Sequence, residues 1–284
     1  MDCIICRYGE LALKGKNRGE FERRLVDNIK DCVKRNKIDG VVKKSSGRVF
    51  VFTKEEKAVN SLKRVFGLVS LSPAVVVDAD KEKIKQAVVD YLNVLSPKKG
   101  TSFRITSKRA NKDLPFDSRE LNTYIGSFIE ENFGLEVDLG SPELEMCIDI
   151  RETAFIFHET VQCLGGLPLG TGGKVACIIE DEESVLAAWL MMRRGVAVFP
   201  LILKKVDLSL LRNYDYGFSL VVKNISSVDE INSTVQEQDY KAVVVGDTID
   251  DFDKERYKSI GSVVLYPLIS YGKEEISSML ARLR

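Results

Sequence analysis

Apolar and polar positions in the first third of the chain follow a helix period in some segments and a strand period in others. In residues 19–36, Phe21, Leu25 and Ile29 fall on one face of a helix. Six elements are predicted, in the order strand, helix, strand, strand, helix and strand, at residues 1–8, 19–36, 40–44, 48–53, 54–65 and 67–77. This β-α-β-β-α-β order predicts a ferredoxin-like domain over residues 1–75.

A second domain is predicted over residues 76–164. Its pattern indicates helices at 81–93 and 118–132 and strands at 101–107, 145–150 and 154–158, the last two forming a hairpin. Ser118 is a plausible N-cap of the second helix.

Strand and helix patterns alternate after a glycine-rich segment, 165–173, which predicts an α/β domain over residues 165–284 with a doubly wound parallel sheet. The predicted strands are 175–179, 196–203, 219–222, 242–246 and 263–267. The predicted helices are 184–192, 208–211, 228–236, 254–259 and 273–283. The predicted fold class is therefore α+β followed by α/β.

Charge is unevenly distributed, although the formal net charge is zero. Residues 1–119 contain 27 Lys or Arg and 15 Asp or Glu, whereas residues 120–284 contain 15 and 27. A basic first half favours a polyanionic partner, and a solvated lysine-rich surface is the alternative interpretation.

The candidate phosphate contacts lie in two basic segments. Lys14, Lys16 and Arg18 belong to a glycine-containing loop before the first helix. A second group follows a strand and opens the next helix, and its members are Arg104, Lys108, Arg109, Lys112 and Arg119. Cations on loops beside strands suit the RNA backbone, which proteins contact through phosphate and the 2′-hydroxyl.

The turn after the first strand of the α/β domain is where doubly wound folds bind nucleotides. Here it reads Ile-Glu-Asp-Glu-Glu-Ser over residues 179–184, with four consecutive acids and no glycine. Like charges would oppose a polyphosphate there. Backbone amides near Cys177, Ile178 and Gly246 could still hold adenosine, and Ser184 is the candidate side chain on this turn.

Six cysteines and a single histidine, His158, form no zinc-ligand pattern, so we expect buried reduced thiols and no metal. No apolar run reaches the ~20 residues of a membrane span, and the start does not read as a signal peptide. We expect a cytoplasmic protein without a membrane partner. Trp189 is expected in the core. Arg151 is open between an RNA contact and a role in its hairpin with Glu152. Tyr8 and Phe116 are candidates for stacking on bases, with burial favoured for Tyr8.

Five segments resemble the tRNA 4-thiouridine synthases, or tRNA sulfurtransferases. Residues 7–18 resemble that family's opening signature, and residues 103–119 its THUMP domain. Three further segments resemble the family's linker, the helix after its PP-loop and a late motif, at residues 165–174, 187–195 and 267–276. The resemblance implies an N-terminal ferredoxin-like domain, a THUMP domain and a PP-loop ATP pyrophosphatase domain.

The departures from the family fall on its chemistry. Where family members carry Ser-Gly-Gly-X-Asp-Ser, only Ser184 matches, and no cysteine lies beyond Cys177. The family reaction needs a phosphate site for adenylation and a cysteine thiolate for sulfur transfer. We therefore expect a tRNA-binding protein without catalytic residues of its own and without a cofactor, and with a separate catalytic or sulfur-donor protein as a further partner.

Two alternatives stay open. One is an active tRNA sulfurtransferase that binds ATP with Mg²⁺ at an unusual site. The other is a dimeric scaffold, since the family resemblance implies a homodimer.

Overall fold

The computed structural model describes residues 1–9, 17–45, 47–110, 114–253 and 255–283. The chain forms two compact units that interleave along the sequence. The first unit comprises Met1–Cys6, Asp39–Val59 and Leu71–Val161. The second unit comprises Arg7–Ile38, Asn60–Ser70 and Gln162–Arg284.

A nine-stranded sheet lies mostly in the first unit. In chain order its strands are β1 (Cys3–Tyr8), β2 (Val41–Ser45), β3 (Arg48–Phe52), β4 (Leu68–Asp78), β5 (Ser102–Arg109), β6 (Glu136–Val137), β7 (Leu144–Ile150), β8 (Thr153–Phe157) and β9 (Val161–Gln162). Their order across the sheet is β2-β3-β1-β4-β8-β7-β5-β6, with β9 paired to β4. The two predicted hairpins, β2–β3 and β7–β8, are both antiparallel pairs.

Four helices accompany these strands: α1 (Arg18–Arg35), α2 (Lys57–Leu62), α3 (Lys81–Leu95) and α4 (Ser118–Phe133). The order β1-α1-β2-β3-α2-β4 is the predicted ferredoxin-like order. Helices α3 and α4 bury their apolar faces on one side of the sheet. Strand residues that point to the opposite side, among them Cys3, Phe50 and Phe155, form a separate cluster.

The N-cap of α4 differs from the prediction. Asp117, and not Ser118, occupies the cap position, and its carboxylate accepts a hydrogen bond from the Glu120 amide at 2.8 Å. Asp and Ser are comparably good caps, so residue type alone does not choose between adjacent candidates.

The second unit contains a parallel sheet of β10 (Lys174–Ile179), β11 (Ala197–Ile202), β12 (Lys223–Asn224), β13 (Val243–Val244) and β14 (Val264–Leu265), in the order β12-β11-β10-β13-β14. Its helices are α5 (Glu182–Arg193), α6 (Ser209–Arg212), α7 (Val228–Glu237) and α8 (Lys273–Leu283). Along β10, Val175 and Cys177 pack with α5, whereas Ala176 and Ile178 pack with α7 on the other face. Apolar cover on both faces confirms the doubly wound parallel sheet.

Two predicted elements of this unit are wrong. A helix was predicted at 254–259, but the described residues 255–259 form turns. A strand was predicted at 219–222, but the strand in this region is β12, at Lys223–Asn224. Tyr257 and Ile260 are buried three residues apart, a spacing that resembles one helical turn. A segment this short gains too few hydrogen bonds to form a helix without tertiary support.

Helix α1 belongs to the second unit through buried polar contacts. The Asn28 amide donates to the Leu169 carbonyl oxygen at 3.2 Å, and the Arg35 guanidinium donates to the buried Asp215 carboxylate at 2.5 Å. The Gly217 amide donates to Asp31 at 2.8 Å. These bonds fix α1 against segments more than a hundred residues away in the chain.

The aromatic core of the second unit contains Trp189, as predicted. Its ring packs edge-on against Phe66 at 5.5 Å and against Tyr214 at 5.6 Å between centroids. None of the helices in the described residues is both long and apolar enough to cross a membrane.

Candidate nucleic-acid interface and nucleotide site

The cations predicted to contact RNA fall into three groups: those that bond to other groups of the protein, those that are exposed, and those that lie outside the described residues. Arg18 pairs with Glu22 on α1 at 2.7 Å, and Arg104 pairs with Glu145 at 2.8 Å. Arg109 donates to the carbonyl oxygens of Leu114 and Phe116 and so holds the loop before α4.

Lys108 and Arg119 are exposed at the end of β5 and the start of α4. Lys14, Lys16 and Lys112 lie outside the described residues. Phe116 is buried, so base stacking by this ring is excluded. The assignment of the cations to RNA stays a prediction.

A groove that the sequence did not reveal lies on the sheet face opposite α3 and α4. Its volume is about 760 Å³, and its lining includes Lys43, Phe50, Phe52, Arg151, Glu152 and Phe155. We call it the aromatic groove. The Phe50 and Phe155 rings stack at 4.7 Å, and Phe52 lies 6.4 Å from Phe155.

Cations flank this row of rings. The Lys43 ammonium lies 5.3 Å from the Phe52 centroid, and the Arg151 guanidinium lies 5.4 Å from the Phe50 centroid. Both distances are within the range of cation–π attraction. Phe50 and Phe155 are buried, whereas Phe52 is partly exposed. A partly exposed ring beside cations can stack on a base while the cations bind its phosphate.

Arg151 is positioned by a buried carboxylate. Asp149 is 5% exposed, and it accepts hydrogen bonds from Arg48 and, at 3.4 Å, from the Arg151 Nε. Among the described residues, no atom accepts a hydrogen bond from the buried Arg151 Nη1. A buried donor without a partner is energetically unfavourable.

Strand register explains why this groove was missed. Lys43 pairs with Phe50 across β2 and β3, and Asp149 pairs with Phe155 across β7 and β8. The two hairpins are about a hundred residues apart in the chain. The signal in the sequence was the grouping of basic and aromatic residues within 41–52, where Lys43, Lys44 and Arg48 precede Phe50 and Phe52.

The predicted nucleotide turn is closed by its own hydrogen bonds. The Ser184 hydroxyl accepts from the amides of Glu180 at 3.0 Å and Asp181 at 3.1 Å, and it donates to the Asp181 carbonyl oxygen at 2.8 Å. A hydroxyl has one donor and two acceptor positions, so all three are used. The Asp181 carboxylate caps α5 by accepting from the Ser184 amide at 2.8 Å.

The other candidate nucleotide residues are enclosed. Cys177 and Ile178 lie inside β10 and are buried. A Cβ atom at Gly246 would lie 2.5 Å from the Ser184 amide nitrogen, so the two backbones are in contact. The role of these residues in nucleotide binding stays a prediction.

A group of polar side chains, which we call the carboxyl-edge cluster, fills the neighbouring space at the ends of β10 and β13. It consists of Glu180, Asp247, Arg256 and Tyr257. Arg256 pairs with Glu180 and lies 3.5 Å from Asp247, and the Tyr257 hydroxyl donates to Asp247 at 2.7 Å. Burial raises the pKa of the Asp247 carboxyl, although Tyr257 and Arg256 act in the opposite direction.

The cysteines of the described residues are free thiols, and four of the six are buried. Burial raises the pKa of Cys3 and of Cys32 to about 12 and that of Cys163 to about 11. Such thiols are weak nucleophiles near neutral pH. The described residues contain no cluster of three or more metal-ligating side chains.

Known proteins resemble this chain in sequence and in fold. The ThiI ferredoxin-like domain matches residues 3–72, and the THUMP domain matches residues 78–159. A tRNA sulfurtransferase of Caldanaerobacter subterraneus subsp. tengcongensis is 40% identical over 202 residues, 69% of this chain and 52% of the relative. The chain thus spans about half the length of the first curated relatives that it matches.

Two further relatives match nearly the whole chain. A solved structure of a 4-thiouridine synthetase–RNA complex with bound ATP has a TM-score of 0.85 at 25% identity, and the match covers 100% of this chain and 85% of that one. A tRNA sulfurtransferase of Thermococcus kodakarensis is 31% identical over 96% of this chain and 85% of its own length. As the resemblance implied, the chain belongs to the tRNA sulfurtransferase family.

Proposed function

We propose that this protein binds tRNA and carries out neither adenylation nor sulfur transfer by itself. The observation that carries the proposal is the closed turn at Ser184: its hydroxyl proton is donated to the Asp181 carbonyl oxygen, and the Glu180 and Asp181 amides donate to the hydroxyl, so none of these donors is left for a phosphate oxygen. A phosphate-binding turn instead offers open backbone amides and a free hydroxyl. The neighbouring carboxyl-edge cluster places two carboxyl groups, Glu180 and Asp247, against one cation, Arg256, which opposes a polyphosphate further.

The aromatic groove and the THUMP match support tRNA as the ligand. Among the described residues that line the groove, Lys43, Lys44 and Arg151 are basic and Glu152 is the acid. A single-stranded stretch of tRNA would stack a base on Phe52, while its phosphates contact the lysines. The chemistry absent from this chain would then come from a separate catalytic or sulfur-donor protein.

Salt-dependent binding tests the RNA half of the proposal. Wild-type protein is expected to bind tRNA at low salt and to lose affinity steeply as salt rises. Lys43→Gln/Lys44→Gln removes two phosphate contacts, and it should lower the slope of log affinity against log salt by about 1.4, at ~0.7 per single-stranded phosphate.

A matched control is Lys98→Gln/Lys99→Gln, which removes another exposed lysine pair from the same unit. The control should keep the wild-type slope. If both double variants gave the same slope of log affinity against log salt, the aromatic groove would not be the tRNA-binding site. If wild-type protein did not bind tRNA at low salt, the proposal of tRNA binding would be refuted.

Pyrophosphate exchange tests the catalytic half. We expect no tRNA-dependent exchange of radiolabelled pyrophosphate into ATP, because no triphosphate is held beside Ser184. Robust exchange would establish the second candidate function, an active sulfurtransferase using ATP with Mg²⁺. Similarity to the synthetase structure with bound ATP favours this alternative. Sedimentation equilibrium separately tests the expected homodimer.

A further inference from the structure

The glycine-rich segment 163–174 is fixed to the end of α5 within the second unit. The Leu167 amide donates to the Arg193 carbonyl oxygen at 3.0 Å, and the Gly170 and Gly172 amides both donate to the Gly195 carbonyl oxygen at 2.8 Å. A Cβ atom at Gly166 would lie 2.2 Å from the Arg193 carbonyl oxygen. The segment is therefore a structured part of the unit's surface and not a loose tether.

Cations from three separate elements lie along this segment. The Arg24 guanidinium carbon, on α1, is 3.3 Å from the Cβ position of Gly170. The Arg193 Nε donates to the Leu164 carbonyl oxygen at 3.1 Å, and the exposed Arg194 follows it. Lys63 follows α2, and its charge lowers the pKa of Cys163 against the larger effect of burial.

We call Arg24, Lys63, Arg193, Arg194 and the segment itself the linker surface. The segment 163–174 contains no Asp or Glu, although the chain from residue 120 onward is acidic overall. The short spacing of the glycines leaves few side chains to keep a ligand away from the backbone. This combination favours a close approach of an extended anion.

A groove of about 790 Å³ borders the linker surface. Its lining includes Arg193 and Arg194, which belong to the linker surface, together with Tyr266 and Tyr271. None of the described residues that line it is acidic. Since Arg24 and Lys63 lie outside the groove lining, the cationic surface extends beyond it, which suits a polyanion longer than the groove.

We propose that the linker surface is a second RNA-binding site, which contacts the phosphate backbone of a double-helical stretch of RNA. The proposal rests on the proposed tRNA-binding function and assigns a different part of the RNA from the one that the aromatic groove takes. Duplex RNA is recognised by shape, phosphate and 2′-hydroxyl, which suits cations beside a backbone with few side chains. An acidic peptide would need only the groove and its two arginines.

The test measures binding of a blunt-ended RNA duplex of about one helical turn as a function of salt. Lys63→Gln/Arg194→Gln removes two phosphate contacts and should lower the slope of log affinity against log salt by about 1.8, at ~0.9 per duplex phosphate. The matched control is Lys205→Gln/Arg212→Gln, which removes one exposed lysine and one exposed arginine elsewhere in the same unit. The control should keep the wild-type slope, and unchanged circular dichroism should verify folding of both variants.

The outcomes separate the two proposals. Equal slopes for both double variants would overturn the linker surface while tRNA binding and its dependence on Lys43 and Lys44 stand. If Lys63→Gln/Arg194→Gln lost affinity for polyglutamate but kept its affinity for the duplex, the linker surface would be a site for acidic peptides. That result would overturn the inference. Failure of the wild type to bind both tRNA and the duplex would overturn both.

Discussion

Substitution of Gly217 tests how closely α1 packs against the segment around residue 217 within the second unit. Its φ is 79°, and a Cβ atom there would lie 1.8 Å from the Asn28 Oδ1 and 3.2 Å from the Asn28 Cα. Asn28 is 1% exposed, and its amide group donates to the Leu169 carbonyl oxygen. The side chain therefore moves away only by breaking that bond or by displacing α1.

The expected effect of Gly217→Ala has two parts. An alanine in the left-handed conformation lowers the free energy of unfolding by about 1–2 kcal/mol. Overpacking against Asn28 lowers it by about 1–3 kcal/mol more. Gly173→Ala supplies the control, because its φ is 85° but nothing lies within 4 Å of its Cβ position. The difference between the two variants should therefore be about 1–3 kcal/mol.

Urea unfolding followed by the fluorescence of Trp189 measures this difference. The protein has a single tryptophan, and it lies in the core of the second unit, so the signal reports that unit. In a double-mutant cycle, Asn28→Ala should recover part of the loss caused by Gly217→Ala. Equal losses for Gly217→Ala and Gly173→Ala would refute the close contact between α1 and the segment at Gly217.

Further predictions concern buried groups and one exposed cation. Burial raises the folded-state pKa of Asp247, so the contribution of this carboxyl to stability is present at low pH and is lost as pH rises through that pKa. Asp247→Asn keeps an acceptor for the Tyr257 hydroxyl, and its stability relative to wild type in urea titrations should therefore increase as pH rises from the acid range to neutrality. A shrinking difference over that range would contradict this cause. Thiol labelling with peptide mapping should modify Cys163 before Cys177, because Cys177 is fully buried. Arg119→Gln should lower the salt slope of tRNA binding by about 0.7–0.9 at an unchanged melting temperature, as Arg119 is exposed.

Long elements were predictable from the sequence because their apolar period repeats. Helix α1 spans 18 residues, and its buried positions recur on one face, so its existence and limits were readable within a residue or two. The continuous apolar run of β10 likewise indicated a strand covered on both sides. The turns at 255–259 show the limit of this reasoning, because two apolar residues on one side fit either a turn or a helix.

The sites were less predictable because their members are distant in sequence. Clusters of cations along the chain can be seen directly, but their partners cannot. Arg104 and Arg109 belong to the same basic segment as the exposed Lys108, yet both make bonds within the protein. The aromatic groove depends on the order of β2, β3 and β8 in the sheet, which only pairing determines. The turn at Ser184 is one continuous segment of the chain, so its acidic composition could be read directly from the sequence.

The placement of α1 also has a consequence for synthesis of the chain. Its partners Leu169 and Asp215 lie 141 and 180 residues downstream of Asn28 and Arg35. At about 5–20 residues per second, a ribosome makes Asp215 roughly 10–40 s after Arg35. During that interval α1 has been synthesised, but the downstream residues that bond to its polar side chains have not. The packing of this first helix is therefore completed only when the final third of the chain has been made.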